Sequence, residues 1–228
     1  MGLMNDAKDI INEAFVKALE LFPFNAIIQP LWDWSTQCNI FVWRSIAVTQ
    51  SSVTGGILMA VPGVNLAVGV GADITSLFYG MQATAYGVGA IIAKKNGKTI
   101  HSLSRDDYID ILAVWAGAPE FIGDSYVKAV LFYNIKSTSK IAIKGVAKTT
   151  TYVTAGTISK KMGVPIATPL LEKVITKISA KLGIKASTFV PVAGSFLNAG
   201  INGWFINSIT NAAKTYYIAK YEGRNVSE

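Results

Sequence analysis

The sequence predicts an all-α fold, a single-domain helical bundle with a Gly-rich apolar helical hairpin. Three observations carry that expectation. Apolar residues recur at three- and four-residue spacing, two long stretches are almost free of charge, and the lysines of the second half return every fourth residue. A chain of 228 residues suits a single core. Hydrophobic residues make up 51% and charged residues 15%, against roughly 25% charged in an ordinary domain. That balance excludes a disordered chain, a coiled coil and a collagen-like repeat. One cysteine, Cys38, excludes a disulfide framework and a thiolate cluster. One histidine, His101, is too little imidazole for a His-ligated metal. No metal and no cofactor are expected. The mean hydropathy of +0.38 points to a protein that meets a membrane without being mostly membrane spans.

The elements follow in order across one domain, 1–228. Residues 1–44 form an amphipathic and aromatic N-terminal region. Within it, 6–22 read as a helix with Ile10, Ile11, Ala14, Phe15, Ala18 and Leu19 on one face. Charged and apolar residues alternate over 1–20, so no secretory h-region is expected. The aromatic stretch 27–44 holds Trp32, Trp34, Phe41 and Trp43, which suit either a core or an interfacial belt. Between Arg44 and Lys94 lie 49 residues with one charge, Asp73. This run, 45–93, reads as an apolar hairpin, either buried in protein or inserted conditionally, and is long enough for two passes of ~20 residues. Its small residues, Ala67/Gly71, Ala83/Gly87 and Ala85/Gly89, allow close helix approach in either setting. Asp73, with Gly71 beside it, is a pore candidate because an ionisable group in such a run is costly unless paired or wet.

Lys94, Lys95 and Lys98 close the run. The region 104–185 then reads as helical, Lys-striped from 136. Ser104-Arg105-Asp106-Asp107 resembles a capping box, followed by Tyr108, Ile111, Leu112 and Trp115 on one face, and 117–119 ends that helix. A break is expected near 163–169, and 141–154 is β-branched enough to allow a strand. An apolar C-terminal helix is expected over 186–222. It contains 28 uncharged residues, 186–213, with Asn198, Asn202, Asn207 and Asn211. Asn198 and Asn202 join Asp73 and Gly71 as pore or membrane candidates, although buried amides more often bond between helices.

Charge divides the chain. Residues 1–124 carry 7 basic and 11 acidic groups, and residues 125–228 carry 14 and 3. Such asymmetry points to an anionic partner for the second half. Lys136, Lys140, Lys144 and Lys148 form one quartet, and Lys173, Lys177, Lys181 and Lys185 another. A step of four advances a helical stripe by only ~40°, so each quartet holds one side. These eight lysines are either a solvated face or an anion-binding surface.

A search for chemistry finds no active site, so an enzyme is not expected. Gly97-Lys98-Thr99 ends like a phosphate-binding loop, but Ile92 stands where its first glycine belongs. Neither a nucleophile elbow nor a zinc-protease motif occurs. Asp106, Asp107 and Asp110 suit a metal less well than they suit a helix N-terminus.

Gly55-Gly56 through Gly71-Ala72-Asp73-Ile74, with Leu77, resembles the Gly-rich segment of the EcsC family. Val190-Pro191-Val192-Ala193-Gly194, with Asn198, Asn202 and Ala212-Ala213, resembles that family's C-terminal segment. The resemblance implies a bacterial, helical, membrane-associated protein without catalytic residues, linked to an ABC-transporter operon, and by analogy the membrane effector of a two-gene defence system. The function expected is therefore an oligomeric effector that forms or gates an ion path in the inner membrane. An anionic (oligo)nucleotide on the lysine surface would control it, from the cytoplasmic side or on conditional insertion. The alternative is a peripheral accessory protein that binds anionic lipid and assists a transporter.

Overall fold

The computed structural model describes residues 14–20, 22–54, 70–138, 168–181 and 199–224. Every regular element among them is a helix. These are α1 (14–20), α2 (Phe24–Ser35), α3 (Ile40–Thr54), α4 (Val70–Lys95), α5 (Asp107–Trp115), α6 (Ser125–Thr138), α7 (Thr168–Lys181) and α8 (Ala199–Glu222). Short 3₁₀ turns occupy Ile100–Ser102 and Pro119–Phe121. The expected all-α bundle is what forms.

The central element is α4. Every residue from Leu77 to Ala90 is buried, so this stretch has no solvent face on which a charge could sit. That accounts for its part of the uncharged run. Its neighbours fix the topology. Phe15 of α1 meets Phe78 edge-on, and Gln82 Nε2 donates to Ala18 O at 3.1 Å. Trp43 Nε1 of α3 donates to Thr84 O at 3.1 Å, and Lys94 Nζ lies 3.4 Å from Thr36 O, so α3 runs antiparallel to α4. Helix α8 runs the same way as α4, with Tyr217 against Gly89 and Glu222 near Asn96. The two uncharged runs meet at Gly203, where a Cβ would lie 3.5 Å from Val48 of α3.

The small residues serve that packing. A Cβ at Gly87 would overlap the Trp43 indole, and one at Gly89 would overlap the Tyr217 ring. For residues 77–90 of that run, burial in protein is therefore the placement observed. No helix among the described residues is long and apolar enough to cross a membrane. Residues 55–69, between α3 and α4, lie outside the described residues, as do 139–167 and 182–198.

Only half of the expected capping box forms at α5: the Ser104 N–H donates to Asp107 Oδ2 at 3.1 Å, while the Ser104 hydroxyl accepts from Asp106 N–H at 3.2 Å and the helix starts at Asp107 with Asp106 as its N-cap. It ends at Gly117, whose φ of +68° lets Ala118 N–H reach back to Ala113 O at 2.8 Å. Of the C-terminal amides, Asn202 is buried, whereas Asn207 and Asn211 face solvent. The glue expected from that second pair is not made across a helix interface.

Candidate functional site

The described part of the lysine row lies on α7. Lys173 Nζ pairs with Glu120 Oε1 at 2.7 Å and sits 5.6 Å from the Phe121 ring. One turn on, Lys177 donates to Trp115 O and lies 4.5 Å above the Trp115 ring. Burial pushes its ammonium below the usual lysine range. Another turn on, Lys181 lies 4.7 Å above Trp204. The carbonyl that Lys177 meets belongs to the last turn of α5, where oxygens lack helical partners and the dipole is negative. The row therefore fastens α7 across the end of α5 and the side of α8. Glu120, Trp115 and Trp204 are the partners that spacing alone could not reveal, being distant in sequence. Lys177 and Lys181 make no ion pair with a described carboxylate. Lys136 belongs to α6, but its side chain falls outside the described residues, as do Lys140, Lys144, Lys148 and Lys185.

A second polar group joins α5 to α8. Lys220 Nζ meets Asp107 Oδ1 at 2.6 Å, and the Tyr216 hydroxyl donates to the same oxygen at 3.0 Å. It also lies 3.3 Å from Asp110 Oδ2. The Gly123 and Asp124 amides donate to Asp110 at 2.6 and 3.1 Å. Burial raises the Asp110 carboxyl above its usual range. The two amides pull the other way, and the Asp107 charge adds to the rise. Each of these groups already holds a protein partner, so the cluster works as a staple. Of the three aspartates flagged by sequence, two belong to it, and Asp106 is exposed. Among the described residues no group of His, Cys, Asp and Glu could hold a metal ion.

The third feature is a cationic end. Lys94, Lys95 and Lys98 are exposed where α4 stops, and Arg44 stands 5.4 Å over the exposed Phe41. The nearby Glu222 is tied to Arg224 at 2.7 Å and to Asn96. Burial would raise its carboxyl. The hydrogen bonds and the charges of Arg224 and Lys95 outweigh that, leaving it below its usual range.

Gly71 and Asp73 stand in the first turn of α4, where the side-chain surroundings are outside the described residues, and Asn198 lies outside them altogether. Asn202 is buried in α8. A groove of about 610 Å³ separates Phe22–Ala26 from His101–Arg105. His101 is exposed on it, and no hydrogen bond links it to Cys38, which donates to Ser35 O at 3.3 Å.

No protein-family model, curated protein or solved structure matches the chain.

Proposed function

We propose that the protein acts at an anionic membrane surface as a peripheral, non-enzymatic binder of the bilayer. The observation that carries this reading is the cationic end. Lys94, Lys95 and Lys98 are exposed there, and the nearby acid Glu222 is paired with Arg224. By contrast, the three described lysines of the α7 row spend their donors or their ring contacts on the protein itself. A basic group close to an anionic leaflet contributes about 1 kcal/mol. With Lys95 discounted for Glu222, Lys94 and Lys98 leave roughly 2 kcal/mol, or about thirtyfold in partitioning.

Sedimentation of the full chain with vesicles tests this. Phosphatidylcholine vesicles containing phosphatidylglycerol should retain the protein, pure phosphatidylcholine should not, and retention should fall as salt screens the leaflet. Equal partitioning to both, or retention insensitive to salt, would overturn the reading. The same vesicles loaded with potassium separate it from the ion-path expectation. Surface binding leaves the ion inside, and release that Asp73→Asn abolishes would favour the conducting effector.

A further inference from the structure

We infer that the corner between α2 and α3 is the anchor of that contact. Trp34, Phe41 and Val42 would enter the headgroup layer of an anionic bilayer, with Lys94 and Lys98 on its phosphates. This inference rests on the membrane-surface reading above. Phe41 is 66% exposed, Val42 39% and Trp34 37%. Scattered exposed apolar residues are ordinary, but these three share one corner. Successive helical residues turn by about 100°, so a tryptophan pointing inward at 43 drives residue 41 to the opposite side. Trp43 is held inward under Gly87, with its ring nitrogen on Thr84 O. Phe41 is therefore kept outward by an anchor two residues away.

The corner is also built to hold its shape. Asn39 caps α3, its side-chain oxygen accepting from Val42 N–H at 2.9 Å. The Thr36 hydroxyl donates to Trp32 O at 2.7 Å, closing the end of α2. Trp34 meets Trp43 at 5.2 Å, nearly perpendicular. Lys94 reaches this turn directly, its ammonium 3.4 Å from Thr36 O, and Lys98 follows just beyond the end of α4. Exposed aromatic rings on either side of one turn, with Arg44 over Phe41 and Lys94 at Thr36, match the chemistry of the interfacial layer, where indole and phenyl rings sit at headgroup level. Three side chains are far less than the roughly 800 Å² per partner of a stable protein interface. They are enough for shallow insertion, which needs only a few rings.

The test labels the corner in the full chain. A Cys38→Ser/Val42→Cys protein carrying an environment-sensitive dye is mixed with vesicles with and without phosphatidylglycerol. The expected result is a blue-shifted, brighter emission with the anionic vesicles only, quenched by lipids brominated just below the headgroup. Unlabelled Phe41→Ser, a surface change, should weaken partitioning about tenfold, the order for half-immersing one phenyl ring, while the salt dependence persists. Lys94→Gln/Lys98→Gln should weaken binding and flatten the salt dependence. If the unlabelled wild type ignores anionic vesicles, the membrane reading falls, and the anchor with it. If it binds but the dye stays in water and Phe41→Ser binds as tightly, the anchor is overturned and the surface reading stands. A dye shift in solution without vesicles, accompanied by a doubled mass, overturns it in favour of a contact between two copies.

Discussion

Replacing Lys220 by methionine isolates the staple between α5 and α8. Its ammonium meets Asp107 Oδ1 at 2.6 Å, with side-chain exposures of 18% and 4%. Removing the cation leaves a buried carboxylate. Breaking such a pair from one side costs about 3–5 kcal/mol, because the surviving charge keeps its desolvation penalty. Asp107 keeps two neutral donors, the Tyr216 hydroxyl at 3.0 Å and the Ser104 amide at 3.1 Å, which puts the expected loss near the lower end, about 3 kcal/mol. Urea unfolding followed by helical circular dichroism at pH 7 would read this as a midpoint lowered by roughly 1–2 M with an unchanged slope. Thermal unfolding would shift down by roughly 6–12 °C at this chain length. Adding Asp107→Asn to Lys220→Met should return about half of the loss, since the charge that needed a partner is gone. A single-variant loss below about 1 kcal/mol, or a double variant as unstable as the sum of both singles, would refute the buried-charge argument.

Two further outcomes follow from the same helices. Gly87→Ala should destabilise by about 2 kcal/mol, despite a gain of up to ~1 kcal/mol in helix propensity, because the new methyl overlaps the Trp43 indole. Combining it with Trp43→Leu should cost clearly less than the two separate losses, as read from melting curves, and strict additivity would contradict the contact. Asp110 gives a pH signature. Its folded-state carboxyl is raised above the ordinary 3.8, so its contribution is fully present below that value and is lost as pH rises through the raised one. Comparing wild type with Asp110→Asn at steps from pH 3 upward should show the wild-type advantage shrinking across that window. An advantage that grows instead would reverse the assigned direction.

The helical class, one half of the α5 capping box and the buried face of α1 were legible because each is local. Ser104 and Asp107 are three residues apart, and Ala14, Phe15, Ala18 and Leu19 share a stripe that any core would cover. The placement of 45–93 was not legible. Lipid and a fully surrounded central helix impose the same demand, absence of charge, and the same small-residue spacing. Only the neighbours that enclose α4 show which demand its described residues meet. The lysine row was half legible. Its spacing fixed one helix side, but what that side meets depends on Trp115, Glu120 and Trp204, brought in by α5, the turn after it, and α8.

The aromatic stretch shows how one composition divides into two roles. Trp43 and Phe41 are two residues apart on one helix, so a single tight contact settles both. Once the indole of Trp43 fills the space that Gly87 leaves open, geometry sends Phe41 outward, beneath the Arg44 guanidinium. The glycine that resembles a membrane-packing signal thus serves the interior of the bundle. The aromatic that resembles a core residue is left at the surface. A contact with an anionic layer would then begin at the rim of the fold, at residues whose exposure is enforced by packing on the other side of the same helix.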